Sequence, residues 1–389
     1  PDSERYYFLE ERYPEYGNLV PRDIATREIF DICVNEGLSV ENDRMCVYLD
    51  LTHIPREELD RKLSGILEIY EKFQGVDPRD TPMKIFPAVH YSMGGLWAGY
   101  ERSADGGLVS GSPDNQLTNI PNLYAIGECD YQYHGANRLG ANSLLSCIFS
   151  GLFVAPGIRN LLSSHKQAAS ELPSSLFEGA VKQHQERHDL LLGRTGGSEN
   201  PYLIHQELGN VMTRAATVVR RNDQLAEAYQ QVSDLEARAQ KCSLSDTGNW
   251  TNQNVVFTKA LIDMFPIAKS IVKGALQRDE CRGAHFKPDF AMPSLKSTDD
   301  AGRREEAEGW CDRFAANTDK WLKSTVVSLK DNEPDITYED IDTSSIPPRP
   351  RLYGLVGAEV IDEVWTERLR QKQATQPEAA QPEAVAGSA

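Results

Sequence analysis

The stretch 122–145 restricts the possible folds of this chain more than any other part of the sequence. It opens with a short apolar run, continues as Gly127-Glu128, crosses a glycine-rich loop that contains Arg138, and starts a second apolar run at Asn142-Ser143. This order predicts a buried strand over 122–126, then a loop, then a helix. A carboxylate, a guanidinium and a helix N-terminus would then border one crevice. Such a crevice suits a nucleotide-type cofactor beside an anionic substrate.

Composition indicates a globular protein of more than one domain and excludes some partners. The chain has 389 residues, of which 40% are hydrophobic and 25% charged. Its net charge of -17 argues against nucleic acid as a partner, because phosphate binding needs an excess of Lys and Arg. No run approaches the roughly 18 consecutive apolar residues of a membrane helix. We therefore interpret the most apolar stretch, 144–158, as a buried core helix, and expect any membrane contact to go through partners.

The cysteines and the first residues concern the cellular setting and the extent of the chain. Seven scattered cysteines without a C-x-x-C pair favour reduced thiols in the cytoplasm, and we expect no metal site. Two histidines at His184 and His188 lack a third ligand, so an exposed polar helix is the expected structure there. The sequence starts at Pro1 with residues typical of the middle of a domain. We expect the chain to be the carboxyl-terminal part of a longer protein.

Periodicity divides the chain into segments of an α/β and α+β multidomain protein. Residues 1–86 contain two predicted helices, Arg22–Glu36 and one that opens at Pro55 and stops at Gly75, beside a strand over Met45–Leu51. Residues 87–160 are rich in glycine and turns and include the segment described above.

The remaining segments are predominantly helical, then mixed, then polar. Residues 161–286 contain apolar residues at helical spacing over Ile204–Gln240 and Asn254–Leu276. Residues 287–370 contain strand-like pieces at 325–329 and 336–341. Residues 371–389, rich in Ala, Pro, Gln and Glu, are predicted to be a disordered tail.

Five features could carry the chemistry, and some of them also have an ordinary structural explanation. Asn142-Ser143 could cap a helix whose amides stabilise an anion, or be an ordinary cap. Glu128 suits ribose hydroxyls, and Arg138 is either a carboxylate fork or a surface arginine. His90 precedes two glycines that would let backbone approach a planar ring. Arg22 places a cation at a helix start, where it opposes the helix dipole.

The motifs resemble those of the flavoprotein subunit of succinate dehydrogenase and fumarate reductase. The resemblance spans nearly everything except the tail and rests on Pro21-Arg-Asp-Ile-Ala-Thr-Arg27, His90-Tyr-Ser-Met-Gly-Gly95, Gly127-Glu128, His134-Gly-Ala-Asn-Arg-Leu-Gly-Ala-Asn-Ser-Leu144, Asn200-Pro-Tyr202, Asn222, Trp250-Thr-Asn-Gln253 and Arg278-Asp-Glu-Cys-Arg-Gly-Ala-His285. Ile346-Pro-Pro-Arg-Pro-Arg351 resembles the end of the menaquinone-linked bacterial branch.

The resemblance implies part of a Rossmann-like FAD-binding domain (87–160) that follows the end of an inserted capping domain (1–86). A helical domain (161–286) and a small carboxyl-terminal domain (287–370) come next.

The resemblance also implies the residues of a site. Arg22 matches the catalytic arginine, and His90 and Arg138 match the residues that bind the carboxylates of succinate or fumarate. Glu128 matches the ligand of the FAD ribose. Ser143 and Leu144 match the backbone contacts to the flavin ring.

The implied setting is a complex. The partners are an iron-sulfur subunit and, through the complex, a membrane-anchor cytochrome b subunit. The location is peripheral, on the cytoplasmic face of the bacterial inner membrane.

One departure from the family pattern leaves alternatives open. The dinucleotide-binding G-x-G-x-x-G, the flavin-linking histidine and a further His and Thr of the substrate site have no equivalent in this sequence. An L-aspartate oxidase-like flavoenzyme shares the Gly-Ala-Asn-Arg-Leu loop, although the long segment 287–351 favours the dehydrogenase. A truncated, non-catalytic module that only binds partners is the other alternative.

Overall fold

The structure, a computed structural model, describes residues 5–42, 45–165, 168–194, 196–343 and 346–375. These residues form two compact units. The first holds the chain up to Gly193 together with Thr217–Val219 and Arg282–Ala284, and the second holds the rest. The boundaries of these two units differ from the boundaries of the four predicted domains, which stay predictions.

The first unit begins with a small α+β arrangement, as its sequence predicts. After a short helix α1 (Phe8–Arg12), helix α2 (Arg22–Phe30) continues into a π-helical turn (Asp31–Asn35), so the predicted helical extent is confirmed. Strands β1 (Val47–Leu49) and β2 (Met83–Ile85) pair antiparallel. They share a hydrophobic cluster with Ile29 of α2 and with the buried Ile32 and Cys33 of the π-helical turn.

Helix α3 connects the two strands and has the predicted ends. It spans Arg56–Gln74 after Pro55 and stops at Gly75, which adopts the left-handed conformation with φ of +73°. Glycine pays no steric penalty there, which explains why the helix ends at this residue. The local signals at both ends were therefore sufficient.

The predicted strand over 122–126 is not a strand in this structure. Only an isolated antiparallel bridge joins Leu117 to Tyr124, and Ile126 is exposed. A strand needs a neighbour for its backbone hydrogen bonds, and in the described part of the chain no other strand pairs with this segment. The strand prediction is wrong here, because an apolar run does not say where its partner is.

Helix α4 (Asn142–Ser164) has the predicted position but not the predicted burial. Its buried residues are mostly small, namely Ser146, Ser150, Val154 and Gly157, whereas Leu144 and Leu152 are 74% and 72% exposed. By length and composition alone, the stretch Asn142–Glu171 could cross a membrane, because one 18-residue window in it has a mean hydropathy of 1.5. The core helix of a soluble protein meets the same criterion, and 22% of this window is buried.

Helix α4 packs closely on the segment around Ser112, and this contact leads to a stability prediction. A Cβ on Gly157 would lie 2.3 Å from the carbonyl oxygen of Ser112, whereas a Cβ on Gly151 in the same helix would meet nothing within 4 Å. We expect Gly157→Ala to lower the free energy of unfolding by about 1–3 kcal/mol, because the obstacle is backbone. Gly151→Ala should raise it by up to about 1 kcal/mol through helix propensity.

Urea unfolding followed by circular dichroism measures both changes. Equal midpoints for the two variants would contradict the packing described for Gly157.

Helix α5 (Ser175–Leu192) completes the first unit and is exposed along most of its length.

The second unit is built on three helices, and the predicted helix over 204–240 is divided. Helix α6 (Pro201–Met212) passes through a π-helical turn (Thr213–Thr217) and is followed by α7 (Asn222–Ala239). Helix α8 (Gln253–Gln277) matches its prediction within one residue at each end. Buried side chains of all three helices form one core, to which Ile204, Leu208, Val232, Leu235, Leu261 and Phe265 belong.

The carboxyl-terminal region adds a hairpin and two packed helices to this unit. Strands β3 (Lys323–Lys330) and β4 (Glu333–Asp340) pair through a two-residue turn and include both predicted strand pieces except Ile341. Helices α9 (Asp300–Trp321) and α10 (Ala358–Thr375) share a core that includes Trp310 and Ile361. Helix α10 extends five residues into the predicted tail 371–389, and positions 376–389 lie outside the described residues.

Candidate active site

The glycine-rich loop at 134–138 is fixed at its first residue by the start of α4. The Nε2 atom of His134 lies 3.2 Å from both the hydroxyl of Tyr91 and the Oγ of Ser146, and those two oxygens are 3.1 Å apart. Burial and then the nearby charge of Arg138 lower the pKa of His134. The ring is therefore neutral at pH 7, and it links the loop to the helix without adding charge.

Arg138 and His90, which are 48 residues apart in sequence, lie in contact. The Nη2 of Arg138 is 3.0 Å from the Nε2 of His90, and its guanidinium carbon lies 5.3 Å from the ring centroid of Tyr91. Since a guanidinium can only donate, the Nε2 of His90 accepts in this contact. In the described chain no carboxylate pairs with Arg138, and its buried Nε has no hydrogen-bond partner. The Arg138 guanidinium, held beside His90, is suited to bind a carboxylate supplied from outside.

Arg22 is the first residue of α2 and is exposed. Its neighbour Asp23 accepts a hydrogen bond of 3.2 Å, through Oδ1, from the side-chain amide of Asn137. The start of α2 is therefore joined to the residue that precedes Arg138. Within the described chain, the Arg22 side chain itself makes no ion pair or hydrogen bond.

Glu128 lies in a 3₁₀ turn (Gly127–Cys129) beside the segment of His90. One carboxylate oxygen, Oε1, accepts the backbone N–H of Ser92 at 3.0 Å. The side chain is otherwise exposed, and its Oε2 has no partner among the described residues. Glu128 thus has one oxygen that orients it and one available to a ligand.

The two glycines after His90 differ in what their missing side chains allow. A Cβ on Gly95 would lie 2.2 Å from the carbonyl oxygen of Cys129, which also accepts the N–H of Leu96 at 2.7 Å. Gly95 is therefore required by packing. The expectation that the two glycines let backbone approach a planar ring stays a prediction. Gly94, with φ of +132° and nothing within 4 Å of a built Cβ, does leave open space.

The start of α4 differs from the predicted cap. The N-cap residue is Ala141, with φ of +65°, and no side chain caps the helix. Asn142 and Ser143 are already the first two helical residues, so the capping prediction is wrong. The first-turn amides, to which Ser143 and Leu144 belong, have no intrahelical acceptors. The absence of a side-chain cap leaves this helix end open to an anion or a polar ring edge.

Several contacts of the site escaped the sequence analysis. Tyr91 lay inside a quoted motif but had no assigned role, and nothing in the sequence indicated Ser146 or the pairing of Asn137 with Asp23. Among the described residues, no group of three or more His, Cys, Asp or Glu side chains could hold a metal.

Comparison with known proteins identifies the family. A model of the FAD-binding domain matches residues 2–144, and a model described as the fumarate reductase flavoprotein carboxyl-terminal domain matches residues 205–353. The succinate dehydrogenase flavoprotein subunit of Bacillus subtilis is 46% identical over 354 residues, which are 90% of this chain and 54% of that protein. This chain belongs to the succinate dehydrogenase/fumarate reductase flavoprotein family. The match to the FAD-binding domain indicates FAD as the cofactor.

More distant members and solved structures agree with this assignment. The fumarate reductase flavoprotein subunit of Escherichia coli is 27% identical over 349 residues, covering 89% of this chain and 51% of that protein. A solved variant of Escherichia coli quinol fumarate reductase superposes with a TM-score of 0.70 at 25% identity and covers 90% of this chain and 55% of the other.

Mycobacterium smegmatis Sdh1 shares the fold, with a TM-score of 0.61 at 23% identity over 91% of this chain and 51% of that one. These matches confirm the predicted multidomain α/β fold class. The chain spans about half the length of the relatives it matches.

Proposed function

We propose that this chain forms the dicarboxylate-binding part of an FAD-dependent enzyme that interconverts succinate and fumarate. The observation that carries the proposal is the contact between Arg138 and His90, two nitrogen-rich side chains with no carboxylate of the described chain between them. Succinate is a dianion, and a planar guanidinium binds carboxylates through paired charge-assisted hydrogen bonds. The family membership established above supplies the reaction class.

The residues present fit a flavin on one side. Glu128 offers its Oε2 to ribose hydroxyls, and the uncapped amides of Ser143 and Leu144 would face the ring at the start of α4. Gly94 leaves space for a planar group. When bound, FAD supplies the two-electron hydride acceptor that amino-acid side chains lack.

The side chains of this chain would bind the substrate, orient it and move a proton. Arg138 and His90 hold the carboxylates, which fixes the reacting carbon of the substrate. Arg22 moves the proton between solvent and the carbon next to the one that exchanges the hydride, and its exposure at the start of α2 supports this role. Tyr91 and His134 keep the Arg138 loop in place.

The proposed setting is a respiratory complex. Electrons would pass to an iron-sulfur subunit and on to quinone, with a cytochrome b subunit as membrane anchor. The chain would lie peripherally on the cytoplasmic face of the bacterial inner membrane. The names of the relatives, among them a quinol fumarate reductase, support this setting.

The test uses the complete flavoprotein purified from its native source. Its intact mass under denaturing conditions and its visible spectrum are recorded first, and its activity with succinate and with L-aspartate is then measured with an artificial electron acceptor. We expect flavin absorbance and turnover of succinate only. Turnover of aspartate alone would indicate an aspartate oxidase, and a colourless protein of 43.4 kDa would indicate a non-catalytic module.

A further inference from the structure

The backbone around Gly283 packs against the loop that carries Arg138. The N–H of Ala284 donates to the carbonyl oxygen of Ala136 at 2.9 Å. The residues on either side of Arg282–Ala284 belong to the second unit, whereas these three belong to the first. A short distant segment therefore supports a peptide two residues before Arg138.

Gly283 permits this approach because it has no side chain. A Cβ there would lie 2.4 Å from the carbonyl oxygen of Ala136 and 2.9 Å from the Cβ of Asn137, and the φ of +58° is in the left-handed region. Real Cβ atoms essentially never come within 3.0 Å of a heavy atom outside their own residue and its chain neighbours. Since the obstacle at Ala136 is backbone, a side-chain rotation cannot relieve the contact, and a larger residue at 283 requires the two backbone segments to move apart.

A second contact holds the next residue of the loop from another direction. The Nδ2 of Asn137 donates to Asp23 at 3.2 Å, next to Arg22 at the start of α2. The peptide at 136–137 is thus held by the 283–284 backbone and by Asp23. Arg138 follows directly, and its Nη2 lies 3.0 Å from the Nε2 of His90.

We propose that Gly283 and Asn137 are positioning residues that set the location of the Arg138 guanidinium for dicarboxylate binding. This inference rests on the proposed function. A shift of about 1 Å in a binding group can cost as much as two orders of magnitude in rate or affinity. Gly283 and Asn137 affect substrate binding, because neither residue carries a group that takes part in the chemistry.

The test is Gly283→Ala in the complete flavoprotein. We expect the KM for succinate and the Kd of malonate, a non-reacting dicarboxylate measured by flavin difference spectra, to rise together by about tenfold or more. The kcat should fall by less than about threefold, and the flavin spectrum should be retained. A merely structural role would lower stability without this parallel rise.

Gly75→Ala is the matched control. Gly75 has a similar left-handed backbone, with φ of +73°, but a Cβ there would meet nothing within 4 Å. The Gly75→Ala variant introduces a similar backbone strain without displacing any loop, so KM and the malonate Kd should stay at the wild-type values.

Asn137→Ala tests the inference even if Gly283→Ala does not fold. It removes the bond to Asp23 without backbone strain, and we expect a rise of about threefold or more in both constants. A folded Gly283→Ala protein with unchanged constants would overturn the inference. If that variant does not accumulate, unchanged constants in Asn137→Ala overturn it. A wild-type protein that does not turn over succinate would refute the proposed function instead, and this inference with it.

Discussion

Arg22→Lys is expected to lower kcat for succinate oxidation by about 10²- to 10⁴-fold, the range over which positioned acid–base groups contribute. Lysine keeps the positive charge but replaces the planar five-donor fork with a compact ammonium on a different stem. A proton carrier must reach one atom of the substrate, so this change of geometry should be costly. Steady-state kcat and KM with succinate measure the effect.

The structure predicts that binding survives this substitution. Asp23, and not Arg22, makes the hydrogen bond to Asn137, so the loop that carries Arg138 keeps its anchor. The malonate Kd and the flavin spectrum should therefore remain those of the wild type. Arg61→Lys, at an exposed arginine on α3, is the matched control and should change none of these values. Retention of most of the activity by Arg22→Lys would show that the proton moves through another group.

Elements with local signals at both ends were predictable from the sequence. Helix α3 follows Pro55 and stops at Gly75, and both residues act through their own backbone. The β3–β4 hairpin turns at Asp331 and Asn332, which both adopt positive φ as such short turns require. No distant contact was needed to recognise either element.

Elements whose form depends on distant partners were not predictable. The apolar run at 122–126 lacks a neighbouring strand in the described chain, and the large apolar residues of α4 stay exposed while its small residues pack. Apolar character says that a residue favours burial, but it does not say what buries it. The helix predicted over 204–240 is divided after the π-helical turn at 213–217, although apolar residues at helical spacing continue across the break.

The residues proposed for the site came from motifs, whereas their supports came only from the structure. Arg138, His90 and Glu128 were all identified in the sequence, and the contact of the first two gives them a common place. The bond between Asn137 and Asp23 spans 114 positions of the chain. No local pattern encodes such a pairing.

Arg138→Lys is expected to raise the KM for succinate by about 10- to 100-fold, since charge-assisted hydrogen bonds are each worth about 1.5–3 kcal/mol. A lysine can neither grip a carboxylate with two parallel bonds nor keep a planar group over the ring of Tyr91, where the Arg138 guanidinium now lies. The malonate Kd should rise by the same factor, because the loss is in binding. Arg159→Lys, at an exposed arginine of α4, should leave both constants unchanged.

The two arginines should therefore separate binding from chemistry. Arg138→Lys is expected to change KM and the malonate Kd together, whereas Arg22→Lys is expected to change kcat and leave malonate binding intact. Arg138→Gln adds a readout without turnover, because the charge of Arg138 contributes, after burial, to the lowered pKa of His134. Removing that charge should raise the pKa of His134, as measured by NMR titration. An unchanged malonate Kd in Arg138→Lys would assign the carboxylate clamp to other residues, even if the family assignment stood.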